Sequence, residues 1–230
     1  MRILHISDTH GFHSRFPDEK FKDIDVVIHS GDCSNYKDTY RNAIEVADFI
    51  EWYKNVPVKY KIYVAGNHDT SIERKRITKQ DFEVNGIIYL EDSFVNINGV
   101  KFYGTPITPT FGEWAFMKAR DKTHQVWEAI PEDTGVLIVH GPPKTIRDLS
   151  FDRQGQLEFC GDMALYKRCM QLKILKRPAE MLHVLKELER IHESITEYSP
   201  EEMEAFEKHN ESKFTKEISN LKDNSLRSAN

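Results

Sequence analysis

Four short polar clusters carry side chains able to bind metal ions: Asp8-Thr9-His10, Gly31-Asp32, Gly66-Asn67-His68-Asp69 and His140-Gly141-Pro142-Pro143. Between them they supply carboxylate, imidazole and amide groups, the donors that a hard or borderline divalent cation accepts. Asp8 and His10 are two positions apart, so an extended segment points both side chains to one side, where they can clamp one ion. Gly31 frees the backbone to turn sharply before Asp32, whose carboxylate can then bridge two ions. Gly66 does the same before Asn67, an amide-oxygen ligand for the second ion. His68, next along, projects differently and is left for proton transfer.

Each cluster closes a stretch that reads as a β-strand from its apolar and β-branched content: Arg2 to Ile6, Asp25 to His29, Lys59 to Ala65 and Gly135 to His140. Asp38 to Tyr53, with Ala43, Ile44, Ala47, Phe49 and Ile50 as its apolar positions, predicts an amphipathic helix between the second and third strands. That alternation is the α/β unit, in which ligands gather at the carboxyl ends of parallel strands. Farther on, Ile87 to Leu90, Phe94 to Ile97 and Val100 to Gly104 are short β-rich pieces, and Asn98-Gly99 is a hairpin signal. They predict an antiparallel set added to the parallel one, hence two sheets packed face to face with helices outside. Lys122 to Ile130 and Gly161 to Leu172 are the later helices.

From Arg177 the pattern becomes helical and polar, with Met181, Leu182, Leu185, Leu188, Ile191 and Ile195 spaced among Glu and Lys. Ser199 as N-cap and Pro200 at the first position open another helix, and Ser219 to Asn230 reads as a frayed end. The expected division is a domain over 1–173 and a helical C-terminal extension over 174–230. The extension's apolar stripe either folds back on its own domain or pairs with a second copy in a homo-oligomer.

The 230 residues suffice for a sizeable core, and 39% hydrophobic content with 11 Gly and 9 Pro is that of a folded protein. A net charge of −5 forecasts neither a nucleic-acid surface nor an anionic membrane. No apolar run approaches the roughly 20 residues that span a bilayer, and Met1 leads directly into a strand. Cys33, Cys160 and Cys169 lack paired spacing and suggest reduced thiols, so the expected location is cytoplasmic.

The ordered clusters resemble the calcineurin-like metallophosphoesterase superfamily, whose pattern runs D-x-H, GD, GNH[D/E], H and G-H-x-H. Tyr103-Gly104-Thr105-Pro106, the run Phe111-Gly112-Glu113-Trp114-Ala115-Phe116 and Val139-His140-Gly141-Pro142-Pro143 are similar to its small class III phosphodiesterase branch, related to metallophosphoesterase-domain-containing proteins. The resemblance covers Met1 to about Leu172. It implies a two-sheet β-sandwich flanked by helices and two divalent ions, Mn, Fe, Zn or Co. Asp8, His10 and Asp32 would hold the first ion, and Asp32, Asn67 and His140 the second. His68 would be the general acid, with Asp69 fixing its ring. The implied activity is hydrolysis of a phosphoester, a phosphodiester in preference to a monoester, on a small phosphorylated and nucleotide-like substrate.

One motif is missing, since no G-H-x-H occurs anywhere in the chain. His183 and His192 lie in its place, but nine positions at about 100° each put them on opposite sides of a continuous helix. His192, beside Leu188 and Ile195, is the better substitute. Loss of a ligand commonly costs about ten- to a hundredfold. The alternative function is therefore a catalytically weakened nucleotide- or partner-binding module on the same scaffold. Of the other histidines, His5 and His29 read as packed within strands, His13 as a candidate pocket residue, and His124 and His209 as surface groups. Arg147 and Asp148 are either pocket residues or a surface ion pair.

Overall fold

The computed structural model describes residues 1–151 and 156–172. The expectations for His183, His192, His209 and the apolar stripe of the extension lie outside the described residues. The chain opens with β1 (Ile3–Ile6), β2 (Val26–His29), α1 (Thr39–Asn55) and β3 (Tyr60–Tyr63). The short helices α2 (Thr70–Glu73) and α3 (Lys79–Glu83) lead to β4 (Ile87–Tyr89). These four strands pair in parallel in the order β1-β2-β3-β4, with Ile28 opposite His5 on one side and Ile62 on the other. The antiparallel expectation for Ile87 to Leu90 is corrected here, because α2 and α3 form a crossover that returns the chain parallel to β3.

β5 (Ser93–Ile97) and β6 (Val100–Thr105) form the hairpin expected around Asn98-Gly99, where both turn residues have positive φ, 51° and 81°. Beyond it lie the short pieces β7 (Thr108–Pro109) and β8 (Met117–Lys118), then α4 (His124–Glu128) and β9 (Val136–Val139). β9 pairs in parallel with β6, so His140 is delivered by the second sheet and not by the one that carries the other clusters. The hairpin of β10 (Leu149–Phe151) and β11 (Leu157–Phe159) and the helix α5 (Met163–Gln171) complete the described chain.

The strands' two-residue alternation builds the layers. On β2, Val26 and Ile28 face the second sheet, packing with Ile62, Leu90, Phe102, Val136 and Ile138. Val27 faces α1 with Val46, Phe49, Ile50 and Tyr53. On the far side, Tyr103, Leu137 and Val139 pack against Val126 and Trp127 of α4 and Leu165 and Cys169 of α5. The result is helix, sheet, sheet, helix, as expected. The Asp38 side chain caps α1 by accepting from Arg41 N at 3.1 Å. The buried face of α1 runs through Asn42, Val46, Phe49, Ile50 and Tyr53, whereas Ile44, expected on it, is 71% exposed.

Candidate metal centre

The first cluster does not adopt the extended form that the two-residue spacing suggested. Asp8 and His10 have φ of 53° and 43°, in the left-handed region, and Asp32 joins them at 56°. Such conformations cost about 1–3 kcal/mol each in non-glycine residues and persist only where surrounding contacts enforce them. The enforcement is a ladder between loops: Asp8 N donates to Gly31 O (2.9 Å), His10 N to Asp32 O (3.0 Å) and Gly11 N to Cys33 O (2.9 Å). The ladder leaves Asp8 Oδ1 3.9 Å from His10 Nε2, although the two residues, expected to clamp one ion, fall in different donor groups. The Ser7 hydroxyl donates to the other Asp8 oxygen.

Gly31, with a φ of 110°, and Gly66 are both required by space. A Cβ on Gly31 would lie 2.6 Å from Gly66 Cα, and one on Gly66 would lie 2.7 Å from His140 Cε1. The loops after β2 and β3 thus touch at their backbones with the His140 ring against them, which no larger residue allows.

Two groups of donor atoms result, each within 4.8 Å internally: Asp8, Asp32 and His140, and His10, Asp32 and His68. Asp32, buried, is common to both. Its Oδ1 accepts from His68 N at 2.7 Å and lies 3.4 Å from His140 Nε2. The histidine tautomers follow from their carbonyl partners. His140 Nδ1 lies 2.9 Å from Ser30 O and His10 Nδ1 3.1 Å from Ser34 O, and a carbonyl can only accept. Both rings therefore carry the proton on Nδ1 and turn the Nε2 lone pair inward, the arrangement typical of metal-binding histidine. His140 Nε2 is 3.0 Å from Asn67 Oδ1, so lone-pair atoms of His140, Asn67 and Asp32 face one another. This donor set fits a divalent cation. Burial lowers the pKa of His10, with Asp32 opposing, which favours the neutral, ligating ring.

Asp69 departs from its expected role. Its carboxylate is fully buried and turned inward, accepting from Asp32 N (2.9 Å), Gly66 N (2.6 Å), Tyr63 Oη (2.7 Å), Ser34 Oγ (2.9 Å) and Cys33 Sγ (3.4 Å). Burial first, and the Asp69 charge second, push the Cys33 thiol and the Tyr63 phenol well above their usual pKa, so both stay protonated and can donate. Asp69 is thus the post around which the Gly31-Asp32 and Gly66-Asn67 loops are tied. The ring of His68 is placed otherwise: Nδ1 is 3.4 Å from Asn35 O, the His10 ring stands edge-on with centroids at 4.8 Å, and the Trp114 indole stacks at 4.2 Å and 27°. His68 is half-buried and faces the same cluster as the ligands, nearer to them than its position in the sequence suggested.

Asn42 went unnoticed in the sequence. Buried on α1, it donates from Nδ2 to Ser34 Oγ (2.9 Å), Tyr36 O (2.7 Å) and His68 O (2.8 Å), and accepts from Ser71 N at 2.9 Å. An amide within a helix gives no periodic signal, although its place on the buried face of α1 could have flagged it. Two other expectations are corrected. His13 is buried against Phe49 and Trp52 and bonded to Asp48 at 3.1 Å, so it lines no pocket. Asp148 is buried and accepts from Gly161 N at 3.2 Å, with Lys144 and not Arg147 as its cation, 3.9 Å away.

Comparison with known proteins agrees with this geometry. The chain is 33% identical to metallophosphoesterase domain-containing protein 1 of Homo sapiens over 62% of its length and 48% of that protein's. It is 35% identical to the probable rhamnogalacturonate lyase C of Emericella nidulans over 65% of its length but 14% of that protein's. It therefore spans less than half the length of either of these two relatives. A solved crystal structure superposes with a TM-score of 0.56 at 13% identity, covering 74% of this chain and 80% of its own, a likeness of fold. The calcineurin-like phosphoesterase profile matches residues 1–211, which takes in every loop just described, and the chain belongs to that family.

Proposed function

We propose that the chain is a metal-dependent phosphoester hydrolase, acting on phosphodiesters at a dinuclear centre. The observation that carries this reading is Asp32, one buried carboxylate shared by two separate donor groups. By the family resemblance, Asp8, His10 and Asp32 would hold one ion, and Asp32, Asn67 and His140 the other, a division that differs from the two donor groups, in which Asp8 goes with His140 and His10 with His68. Divalent ions bound there supply Lewis-acid polarisation of the phosphoryl oxygens and acidify an attacking water. The protein's own part is to aim the ring nitrogens of His140 and His10, through Ser30 O and Ser34 O, to keep the His10 ring neutral by burial, and to present His68 at the edge of the cluster. There the imidazole can hand a proton to the departing oxygen, a contribution of roughly a hundred- to ten-thousand-fold. The family resemblance supports a small, nucleotide-like substrate. None of the three cysteines forms a disulfide, which supports a reducing, cytoplasmic setting. No helix among the described residues is long and apolar enough to cross a membrane.

The test is the hydrolysis rate of a chromogenic phosphodiester, with a monoester beside it, by metal-stripped protein titrated with manganese. The expected result is metal-dependent turnover of the diester that falls by on the order of a thousandfold or more in Asp32→Ala. Equal rates in Asp32→Ala and the parent would overturn the reading. The absence of G-H-x-H favours a second reading, a binding module on the same scaffold. Tight nucleotide binding without turnover under any metal would establish it.

A further inference from the structure

The geometry points to Trp114 as the residue that positions the imidazole of His68, an inference that rests on the reading of His68 as proton donor. The backbone of His68 is fixed on both sides, its N–H on Asp32 Oδ1 at 2.7 Å and its carbonyl under Asn42 Nδ2 at 2.8 Å. Its ring has no comparable tie. The neighbouring carboxylate that could orient it, Asp69, is committed to five other donors, and the Asn35 carbonyl is a long 3.4 Å from Nδ1. What bounds the ring's rotation is aromatic: His10 edge-on at 77° and Trp114 stacked at 27° with centroids 4.2 Å apart. Offset stacking of this kind is an attractive, orientation-dependent contact that leaves both imidazole nitrogens in the ring plane and uncovered.

The indole is itself anchored to the loop it serves. Ala115 N donates to Asn67 O at 3.0 Å, and Phe116 N donates to Glu73 Oε1 at 2.7 Å, while Thr108 N donates to Phe116 O at 3.0 Å. Phe116 turns the chain with a φ of 56°. The Lys37 ammonium lies over the indole, 5.2 Å from its centroid, and 4.0 Å from the Glu113 carboxylate. The segment Glu113-Trp114-Ala115-Phe116 is therefore stitched to the loop of Asn67 and His68, and Trp114 moves with the ring it stacks on. Its role is to hold the imidazole in the arc from which it can reach a leaving oxygen.

Two measurements test this. The first compares phosphodiesters with an activated aryloxide and with a simple alkoxide leaving group, across Trp114→Ala, Trp114→Phe, His68→Ala and His68→Ala/Trp114→Ala. The expected outcome is a fall in kcat of about ten- to a hundredfold for Trp114→Ala on the alkoxide ester, with KM little changed and little loss on the aryloxide ester. Trp114→Phe should restore most of it, and Trp114→Ala should cost nothing further once His68 is gone. The second is the proton spectrum of the His68 ring in metal-free protein, where the indole ring current shifts its signals upfield in the parent and in neither Trp114→Ala nor Trp114→Leu. A wild type without activity, or an unimpaired His68→Ala, overturns the proton-donor reading and this one with it. A His68-dependent enzyme in which Trp114→Ala raises KM, slows both esters alike or adds its loss to that of His68→Ala overturns this inference alone, as do unshifted ring signals.

Discussion

His140 and His68 end two loops that meet at one cluster, yet the fold secures them by opposite means. His140 is completely buried, with Nδ1 on a carbonyl of the other sheet and Nε2 against Asn67. His68 is half-buried, fixed through its backbone, and its ring is bounded by two aromatic faces. A ligand must present one lone pair in one direction, and buried hydrogen bonds achieve that at the expense of any other use of the ring. A proton donor must exchange with water and reach a moving oxygen, and stacking restrains such a ring without consuming its nitrogens. Under the proposed function, the contrast suits the two rings to different jobs.

The buried side of this contrast depends most on Asp69, so its removal is the harshest test. Asp69→Ala strands five buried donors and should lower the unfolding free energy by about 3 kcal/mol or more, read from urea denaturation. A smaller loss would mean that the loops are held by something else. Next, His140→Ala and His68→Ala should separate. The first is expected to cost about 2–3 kcal/mol, for a lost buried ring and the Ser30 carbonyl left without its donor. The second should stay within about 0.5 kcal/mol while slowing hydrolysis roughly a hundredfold. Equal destabilisation would break the comparison.

His5 sharpens it with the smallest effect. Its Nε2 pairs with Ser30 Oγ at 3.0 Å, and burial lowers its pKa to about 4. The unfolded chain takes up this proton near pH 6.5, whereas the folded one resists until about 4. Stability from this group is therefore complete above about pH 6.5 and is lost as pH falls through about 4. The slope should amount to on the order of 1–2 kcal/mol, allowing for partial exposure of the ring. His5→Gln should flatten that part of a stability–pH curve.

The ligand loops were legible because their residue types are chemically restricted and two of them begin with glycine, which the close approach of Gly31 to Gly66 explains. The layers were legible from the strand–helix order, and β2 and β9, buried at every position, read as short apolar, β-branched runs. What escaped the sequence depends on contacts between distant segments. Whether β4 joined one sheet or the other turned on a crossover made of two helices of four and five residues, too short to leave a periodic trace. The inward turn of Asp69 escaped because its donors come from Asp32, Cys33, Ser34 and Tyr63 as well as its own loop. Ile44 looked like a core position by type, but the buried stripe of α1 includes Asn42, whose partners lie on the loops after β2 and β3 and on α2.

The bond from Ser30 O to His140 Nδ1 joins positions 110 residues apart and belonging to different sheets. Closing so long a loop is entropically costly, so such a contact is expected to form after each sheet has gathered its own strands. The cluster is then the last thing to assemble, and it reports the docking of the two halves. A cation captured there would bind only the docked form and would draw the folding equilibrium toward it by mass action, so that loading the protein also clasps its two sheets together.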